Sequence, residues 1–455
     1  MSDLMAVILA AGKGTRMKSA LPKVLHQVGG RPMVQHVLHA ANEAGVGKNV
    51  VVIGFGADSV REYLGNQVEY AVQEQQLGTG HAMLQAKTAI GDFSGTILVL
   101  CGDTPLLRGE TLKALCQAHR HNQAAATVLT VRMPDPTGYG RVIRDGQGQV
   151  LRIVEQKDAG PDELSCDEIN TGIYCFQTEA LFSALSQITC ENQQGEYYLT
   201  DVLEILGSGG NRVGAVLAED YQEMLGINSR AQLAEAEKIL RQRKLAEAMN
   251  NGVTIMDPAS TFIDAGVVIG ADTVIYPFTW LEGSTMVGRD CQIGPNTRLQ
   301  NAVIGDSVTI HFSYGHDCRV ADHVTVGPYV HLRPGADLGP NVKVGNFVEV
   351  KNSHVGANSK LPHLSYIGDA DIGERVNIGC GTITVNYDGV KKYRTTIEDD
   401  AFVGCNSNLV APVTVGEGAY VGAGSTITKE VPAQTLAVAR ARQTNITGWI
   451  DKRKK

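Results

Sequence analysis

The segment LAAGKGTRMKSALPK, residues 9–23, combines glycines and cations in a way that suits a polyphosphate ligand. Gly12 and Gly14 would let backbone N–H groups approach phosphate oxygens, since neither residue carries a side chain. The segment also contributes three cations, Lys13, Arg16 and Lys23. It matches neither GxGxxG, because Met17 replaces the third glycine, nor the Walker A pattern GxxxxGKS/T. An ordinary turn after a strand is the alternative.

A carboxylate, Asp103, follows the apolar run of VLCGD, residues 99–103. In α/β sheets a nucleotide and its metal ion bind beyond the carboxyl ends of buried strands, and Mg²⁺ accepts carboxylate oxygens. The pattern therefore indicates a metal ligand, with a helix cap or turn residue as the alternative.

Two cations of the second half, Arg333 and Lys351, each follow the aliphatic residue of a six-residue repeat and are separated by three whole repeats. Three rungs make one coil, so these side chains should stack outward, one strand spacing of about 4.8 Å apart. Adjacent like charges are unfavourable unless an anion lies between them. The spacing predicts a phosphate site, with a solvated basic face as the alternative.

The segment LPHLSY, residues 361–366, lies in the same repeat. Its pattern places Leu361 inward and Ser365 at a small corner, which leaves His363 and Tyr366 pointing outward. The six-residue period then breaks across residues 384–395, a loop insertion able to fold over that face. An outward imidazole can act as a general base near neutral pH, although a lone outward histidine is usually a surface residue.

The elements that must position these residues differ between the two halves. MAVILA (5–10), NVVVIGF (49–55) and GTILVLCGD (95–103) are short aliphatic runs typical of buried parallel strands. MVQHVLHAANEAG (33–45) has helical spacing and ends on Gly45. Such alternation predicts a Rossmann-like α/β domain with a mainly parallel sheet and ligands at the carboxyl ends of its strands.

The second half changes period. Residues 229–250 are rich in Ala, Leu, Glu, Lys and Arg and predict a linker helix. From about residue 252, aliphatic-Gly pairs recur at steps of six or nearly so, which is typical of a parallel β-helix. The predicted domains are 1–228, the linker 229–250, and 251–455 with its tail.

The composition of the 455 residues restricts the partners. A net charge of −8 argues against nucleic acid as the main partner. No run approaches the roughly 18 apolar residues that span a bilayer. The nine cysteines lack paired spacing, as expected of reduced thiols, so we expect a cytoplasmic protein.

The string LAAGxGTRM…LPK resembles the signature of sugar-1-phosphate nucleotidyltransferases. Further motifs follow in the order of that family: QLGTGHA (76–82), CGDTPL (101–106), TGYGR (137–141), IVEQKDA (153–159), INTGIY (169–174), GEYYLTD (195–201) and GINSR (226–230). With the hexapeptide half included, the chain resembles the bacterial family of bifunctional N-acetylglucosamine-1-phosphate uridylyltransferases and glucosamine-1-phosphate acetyltransferases. That resemblance implies a left-handed β-helix, acetyl transfer from acetyl-CoA to glucosamine 1-phosphate, and then uridylyl transfer from UTP to N-acetylglucosamine 1-phosphate with release of pyrophosphate.

The resemblance also implies roles for residues of the first half. Uridine contacts fall on Leu9, Ala10, Ala11, Gly12, Gln73, Gly78 and Thr79. Sugar contacts fall on Gly140, Glu155 and Asn170. Lys23 matches a lysine near the phosphates, and Arg16 matches an arginine that stabilises the departing pyrophosphate. Asp103 and Asn228 match the ligands of the catalytic Mg²⁺.

In the second half, His363 matches the general base that deprotonates the amine of glucosamine 1-phosphate. The sugar-phosphate and base-orienting residues match Arg333, Lys351, Tyr366, Asn377 and Asn386. The acetyl-CoA contacts match Cys380, Tyr387, Cys405, Ala423 and Arg440. Three positions depart from the family: Cys380 stands where alanine is common, Cys405 where serine is common, and Pro362 where glycine is often found.

The same resemblance implies small-molecule partners, a homotrimer with acyl sites between neighbouring helices, and a supply of UDP-N-acetylglucosamine for peptidoglycan and cell wall synthesis. Two alternatives remain open from the sequence. One is a monofunctional nucleotidyltransferase whose β-helix only assembles the oligomer. The other is a non-catalytic subunit like those of a translation-initiation exchange factor, which the intact GKGTRM segment, Lys23 and Asp103 oppose.

Overall fold

A computed structural model describes residues 3–453 of the chain, which divides into two compact units, Met1–Leu240 and Arg241–Lys455. The boundary falls within the helix Arg230–Asn250, close to the predicted 229–250. That helix has no internal Gly or Pro, so nothing in its sequence interrupts the backbone hydrogen bonds.

A mixed sheet forms the centre of the first unit. Within residues 3–453 its nine strands run, in spatial order, Val213–Ala218, Ala126–Arg132, Glu168–Gln177, Thr96–Cys101, Leu4–Ala10, Lys48–Ile53 and Glu69–Val72, with Arg141–Arg144 and Val150–Val154 attached to one side. The central strands pair in parallel, and Glu168–Gln177 is antiparallel to both neighbours. A small antiparallel pair, Gln27–Val28 and Arg31–Pro32, lies apart from this sheet. The predicted mainly parallel α/β sheet is confirmed.

Helices connect these strands. They are Met33–Glu43, Ala57–Leu64, Thr79–Ile90, Gly109–His121, Pro161–Leu164, Thr178–Leu185 and Asp201–Ser208, with 3₁₀ turns Thr15–Met17, Lys23–Leu25 and Tyr221–Met224. The predicted helix over 33–45 ends at Glu43, and Gly45 follows with a φ of 89°, which a glycine adopts without strain. The central strand Leu4–Ala10 is almost wholly buried because apolar helices cover both of its faces.

The second unit is a parallel β-helix of three sheets, defined here as its faces. The first face contains Thr254–Ile255, Val274–Ile275, Gln292–Ile293, Thr309–Ile310, Thr325–Val326, Lys343–Asn346, Lys360–His363, Asn377–Ile378, Phe402–Val403, Tyr420–Val421 and Leu436–Ala437. The second contains Phe262–Ile263, Thr279–Glu282, Thr297–Gln300, Tyr314–His316, His331–Leu332, Glu349–Lys351, Tyr366–Gly368, Ile383–Val385, Asn408–Val410 and Thr426–Ile427. The third contains Val268–Ile269, Met286–Val287, Val303–Ile304, Arg319–Val320, Ala336–Leu338, Ser353–Val355, Ala370–Ile372, Thr395–Ile397 and Val413–Val415. A 3₁₀ turn, Pro258–Ser260, precedes the second face, and a short helix, Trp449–Arg453, lies near the end of the chain.

The coils of this β-helix are less regular than the predicted three equal rungs. Thr309 pairs with Thr325, Thr325 with Lys343, and Lys343 with Lys360, so the steps along the chain between equivalent positions are unequal. The step from Asn377 to its partner Phe402 is much longer, because the inserted loop lies within that coil. Inward aliphatic residues from successive coils stack into one continuous core along the axis.

Candidate functional sites

A cavity of about 500 Å³ opens at the carboxyl end of the sheet in the first unit. It is lined by Leu9, Ala10, Ala11, Gly12, Lys13, Lys23, Val24, Gln73, Gln76, Gly78, Thr79, Ala82, Cys101, Asp103 and Glu196. All seven residues expected to contact uridine are in this lining. The strand Leu4–Ala10 delivers the first of them directly, so the cavity lies where an α/β sheet binds ligands.

Lys23 joins the two residues expected to bind a metal ion. Its Nζ donates hydrogen bonds to Asp103 Oδ2 at 2.5 Å and to Asn228 Oδ1 at 3.0 Å. A backbone hydrogen bond of 2.9 Å, from the Ile227 N–H to the Asp103 carbonyl, holds the two chain segments together. The structure therefore brings a cation, a carboxylate and a neutral amide oxygen to one point.

Glycine is required at two positions around the cavity. Gly14 has a φ of 58°, and a Cβ there would lie 2.6 Å from the Cβ of Lys23. Gly78 has a φ of 106°, and a Cβ there would lie 2.5 Å from the Tyr197 carbonyl oxygen. A larger residue at Gly14 would displace Lys23, because L side chains rarely adopt this backbone conformation.

The residues expected to bind the sugar, Gly140, Glu155 and Asn170, lie outside that lining, and two of them contact each other. The Asn170 N–H donates to the Gly140 carbonyl at 2.9 Å, and the Tyr174 hydroxyl donates to Asn170 Oδ1 at 2.9 Å. Burial, followed by the negative charges of Asp158, Asp201 and Glu196, raises the pKa of Glu155. Glu196, one of these charges, also lines the nucleotide cavity.

Arg16, which the sequence places with the departing pyrophosphate, lies outside the nucleotide cavity. Arg16 is exposed within the 3₁₀ turn Thr15–Met17 and is absent from the cavity lining, whereas Lys13 of the same segment is present. Its role with pyrophosphate stays a prediction.

His363 is exposed at the end of a first-face strand, as its sequence pattern predicts, while Leu361 and Ser365 of the same rung are buried. Its Nδ1 is 3.2 Å from Asn346 Oδ1, one coil earlier. Because an amide oxygen only accepts hydrogen bonds, Nδ1 is the donor in this contact, and in a neutral imidazole of this tautomer Nε2 carries the lone pair. An unprotonated Nε2 is the atom that can remove a proton from an amine.

Strand register defines a row of side chains, the acyl row, which contains Asn346, His363, Cys380, Cys405 and Ala423. Asn346 pairs with His363, and the registers of the strands just before them extend the row to Cys380, Cys405 and Ala423. Beyond it, the Arg440 guanidinium donates to the Ala423 carbonyl at 2.7 Å. Four of the five residues expected to contact acetyl-CoA thus follow His363 in a line.

The two stacked cations are not bare charges. The predicted register is present, since Leu332 pairs with Val350 directly before Arg333 and Lys351. However, Arg333 binds Glu349 at 2.7 Å, and Lys351 binds Asp369 at 3.3 Å. Carboxylates of the chain itself therefore already offset both charges, so the spacing of these cations does not by itself require a bound phosphate. Their role with a sugar phosphate stays a prediction.

Asp369 is a buried hub that the sequence did not reveal. Besides Lys351, it accepts hydrogen bonds from Asn352 Nδ2 at 2.6 Å and from Asn386 Nδ2. Asn386 Nδ2 also lies 3.5 Å from the Tyr366 hydroxyl. Burial works to raise the pKa of Asp369, but hydrogen bonds from Asn352, Asn386 and Lys351 outweigh it and hold the pKa below its ordinary value.

Asn346, Glu349 and Asp369 were all missed by sequence reasoning, although a signal for them exists. Asn346 is 17 residues from His363, and Glu349 is 16 residues from Arg333. Asp369 is 18 residues from Lys351 and 17 from Asn386. A search for polar residues one coil away from each candidate would have found all three.

Two predicted residues lie apart from this hub. Asn377 is on the first face, where its strand pairs with those of Lys360 and Phe402, whereas Arg333 and Lys351 lie at the end of second-face strands. Tyr387 is exposed in the inserted loop, where its hydroxyl donates to the Gly389 carbonyl at 2.6 Å.

Comparisons with known proteins cover both units. The sequence matches the family described as Nucleotidyl transferase over residues 5–275 and the one described as Bacterial transferase hexapeptide (six repeats) over residues 317–352 and 394–429. It is 55% identical over 447 residues to Bifunctional protein GlmU of Geobacillus thermodenitrificans, covering 98% of this chain and 97% of the relative. The chain belongs to the GlmU family. It is also 52% identical over 453 residues to Bifunctional protein GlmU of Halalkalibacterium halodurans, covering 100% of both chains.

As a GlmU family member, the chain is a bifunctional transferase with uridylyltransferase and acetyltransferase activities. A monofunctional enzyme and a non-catalytic subunit are both disfavoured, because the bifunctional relatives match along nearly their whole length. A solved structure of UDP-glucose pyrophosphorylase complexed with UDP-glucose aligns with 52% of this chain and 98% of its own, at 19% identity and a TM-score of 0.45. This similarity is too low to support a conclusion about function. Within residues 3–453, no helix is long and apolar enough to cross a membrane.

Proposed function

We propose that the cavity of the first unit is the uridylyltransferase site, with UTP against Leu9–Gly12 and the sugar phosphate towards Asn170 and Glu155. The convergence of Lys23, Asp103 and Asn228 at one end of the cavity carries this proposal. The sugar phosphate attacks the α-phosphate in line, and pyrophosphate leaves. Lys23 orients the phosphates and offsets their charge, so no covalent protein nucleophile is needed.

Asp103 and Asn228 fit the Mg²⁺ that we propose for this reaction. Both present oxygen atoms to one cation, the Lys23 ammonium. The two oxygen atoms therefore form an environment that stabilises positive charge. Mg²⁺ characteristically takes one or two protein oxygens and keeps its remaining positions for water and phosphate. Within the described residues, no group of three or more His, Cys, Asp or Glu side chains that could hold a metal ion is present. When bound, the ion would neutralise charge on the phosphates.

For the second unit we propose acetyl transfer along the acyl row, from acetyl-CoA to the amine of glucosamine 1-phosphate. His363 Nε2 removes the amine proton, and Asn346 holds the required tautomer through Nδ1. Arg333 and Lys351 receive the phosphate, while Asp369 positions Lys351 and Asn386. The placement of Cys380, Cys405 and Ala423 beyond His363 in the same row supports this assignment.

We further propose a homotrimer. The turns between the first and second faces form an apolar corner of Phe278, Phe312, Tyr329, Phe347 and Leu364. Several of its side chains are more than half exposed, Tyr329 and Phe347 at 57% each, and apolar patches of this kind characteristically mark interfaces. Leu364 directly follows His363, so a neighbouring chain covering this corner would also border the acyl row.

The position of Asn377 supports the same assembly. Asn377 lies on the first face, whereas Arg333 and Lys351 belong to the second. A single sugar phosphate could contact all three side chains more readily if Asn377 came from the first face of a neighbouring chain. Sedimentation of the protein and of Phe347→Glu tests the proposal. We expect trimers for the former, and smaller species with reduced acetyl transfer for the latter. A fully active monomer would contradict it.

One incubation tests the two sites together: full-length protein with glucosamine 1-phosphate, acetyl-CoA, UTP and Mg²⁺, with products identified by mass spectrometry. We expect UDP-N-acetylglucosamine and pyrophosphate. Asp103→Ala should stop at N-acetylglucosamine 1-phosphate, and His363→Ala should make no acetylated product yet still use added N-acetylglucosamine 1-phosphate. Unchanged pyrophosphate release by Asp103→Ala would refute the first assignment. Acetyl transfer by residues 251–455 alone would test the proposed domain boundaries.

The spacing of the cysteines supports a proposed cytoplasmic location. The nine cysteines are irregularly spaced along the chain, without the paired spacing of a disulfide framework. Such cysteines are typical of proteins from reducing compartments.

A further inference from the structure

Two thiols, those of Cys380 and Cys405, follow His363 in the acyl row. Cys380 occupies the equivalent position one coil beyond His363, and Cys405 the position one coil beyond that. The Asn406 N–H donates to the Cys380 carbonyl at 2.7 Å, which fixes the two coils in register. Both thiols are free; Cys405 is exposed, and Cys380 is less exposed.

The geometry of acetyl transfer places the sulfur of CoA near the first of these thiols. The amine must lie within hydrogen-bond reach of His363 while it attacks the thioester carbon, and the CoA sulfur is bonded to that same carbon. Cys380 is one strand spacing, about 4.8 Å, from His363 along the row. The CoA sulfur therefore arrives within reach of Cys380 Sγ, whereas Cys405 lies a further coil away.

We propose that Cys380 is a modification site for disulfides of CoA, and this inference rests on the acetyl site proposed above. The Cys380 thiolate attacks one sulfur of a CoA disulfide, so a Cys380–S–S–CoA bond forms and the original S–S bond breaks. The other half leaves as CoA thiolate and takes up the proton released by Cys380. No other oxidant is needed, because the CoA disulfide supplies the oxidising equivalents.

The adduct blocks acetyl transfer. Its CoA portion occupies the acetyl-CoA positions along Cys405, Ala423 and Arg440, and its sulfur stands where the thioester would arrive beside His363. A thiol reductant cleaves the mixed disulfide and restores the site. Uridylyl transfer, which depends on the cavity of the first unit, continues throughout.

Exposure and proximity predict opposite orders of labelling, which makes the proposal testable. A small disulfide without a binding site reacts according to exposure and should favour the more exposed thiols, Cys405 and Cys190, over the less exposed Cys380. A disulfide held by the CoA site should instead favour Cys380, because binding raises its local concentration.

The experiment treats full-length reduced protein with CoA disulfide or, at equal concentration, with cystamine, and maps unreduced peptides by mass spectrometry over time. We expect CoA disulfide to label Cys380 at least about tenfold faster than Cys405 or Cys190, and cystamine to label those two first. Acetyl transfer should fall in step with Cys380 occupancy and return with dithiothreitol, while uridylyl transfer stays constant. The same labelling order with both reagents, or full occupancy of Cys380 without loss of acetyl transfer, would overturn the proposal.

Two variants serve as controls, each measured relative to its own untreated activity. Cys380→Ala should resist inactivation by CoA disulfide, whereas Cys190→Ala should remain as sensitive as the unmodified chain. Acetyl-CoA in excess should protect Cys380. Absence of acetyl transfer before any treatment would mean that the proposed function fails, whereas normal acetyl transfer with unselective labelling would mean that only the modification site fails.

Discussion

Replacing Asp369 with asparagine tests the buried hub of the acyl site. The side chains of Asp369 and Lys351 are only 7% and 19% exposed, so little water is available to replace the lost partner. Asparagine keeps the shape and one acceptor oxygen but removes the charge that Lys351, Asn352 and Asn386 now share. We expect Asn386 and the loop behind it to lose their anchor.

The expected magnitude follows from the contacts. A hydrogen bond to a charged group contributes about 1.5–3 kcal/mol, and the retained acceptor recovers part of this, so we expect a loss of about 2 kcal/mol in local stability. Since 1.36 kcal/mol corresponds to a tenfold change, hydrogen exchange in the loop should accelerate roughly thirtyfold. The Tyr393 N–H, which donates to the Asn386 carbonyl at 2.9 Å, is the best reporter.

The effect should depend on pH in a defined direction. The pKa of Asp369 is lowered from 3.8 in the folded state, because its hydrogen bonds from Asn352, Asn386 and Lys351 outweigh the effect of burial. A depressed carboxyl pKa adds stability above the unfolded value, and that stability is lost as the pH falls through the folded value. The difference between Asp369→Asn and the unmodified chain should be full at pH 7 and shrink below about pH 4.

The assay is native-state hydrogen exchange with mass spectrometry, together with acetyl and uridylyl transfer rates on the same sample. The matched control is Asp337→Asn, whose carboxylate is 46% exposed and pairs with the exposed His354 on the same β-helix. Its effect should be at most about 1 kcal/mol, because solvent screens exposed pairs. Equal exchange rates and acetyl transfer in Asp369→Asn and the unmodified chain would refute the reasoning.

Three further predictions follow from single contacts. Gly14→Ala should lower uridylyl transfer at least about tenfold with acetyl transfer unchanged, because its Cβ would collide with Lys23; normal uridylyl kinetics would exclude the clash. Asn346→Ala should lower acetyl kcat by about tenfold, less than the 10²- to 10⁴-fold expected for His363→Ala, and equal losses would contradict its positioning role. Burial, then Glu204 and Asp158, raise the pKa of Asp201 to about 6, so the first unit should lose stability as the pH rises from about 4 to 6. Asp201→Asn should abolish that loss, which solvent screening limits to about 1 kcal/mol in thermal unfolding.

The sequence by itself determined the two architectures. Apolar runs near residues 5–10, 49–55 and 95–103 alternate with helical segments, and only a sheet covered on both faces buries such runs. The hexapeptide period equally required a β-helix, and it correctly placed Leu361 inward and His363 outward. Both conclusions rest on local periodicity, which the chain carries along its length.

The tertiary structure decided which polar groups meet. Lys23 reaches Asn228 across 205 residues, and no local pattern encodes that distance. Within the β-helix, the partners of Arg333 and Lys351 lie 16 and 18 residues away. Neither partner is directly opposite in the strand register, because Glu349 pairs with His331 and Lys351 pairs with Gly368. The periodicity of the sequence determines whether a side chain faces the core, because burial depends on where that one residue falls in the repeat. A hydrogen bond or an ion pair depends on two positions at once, and only the folded register brings them together.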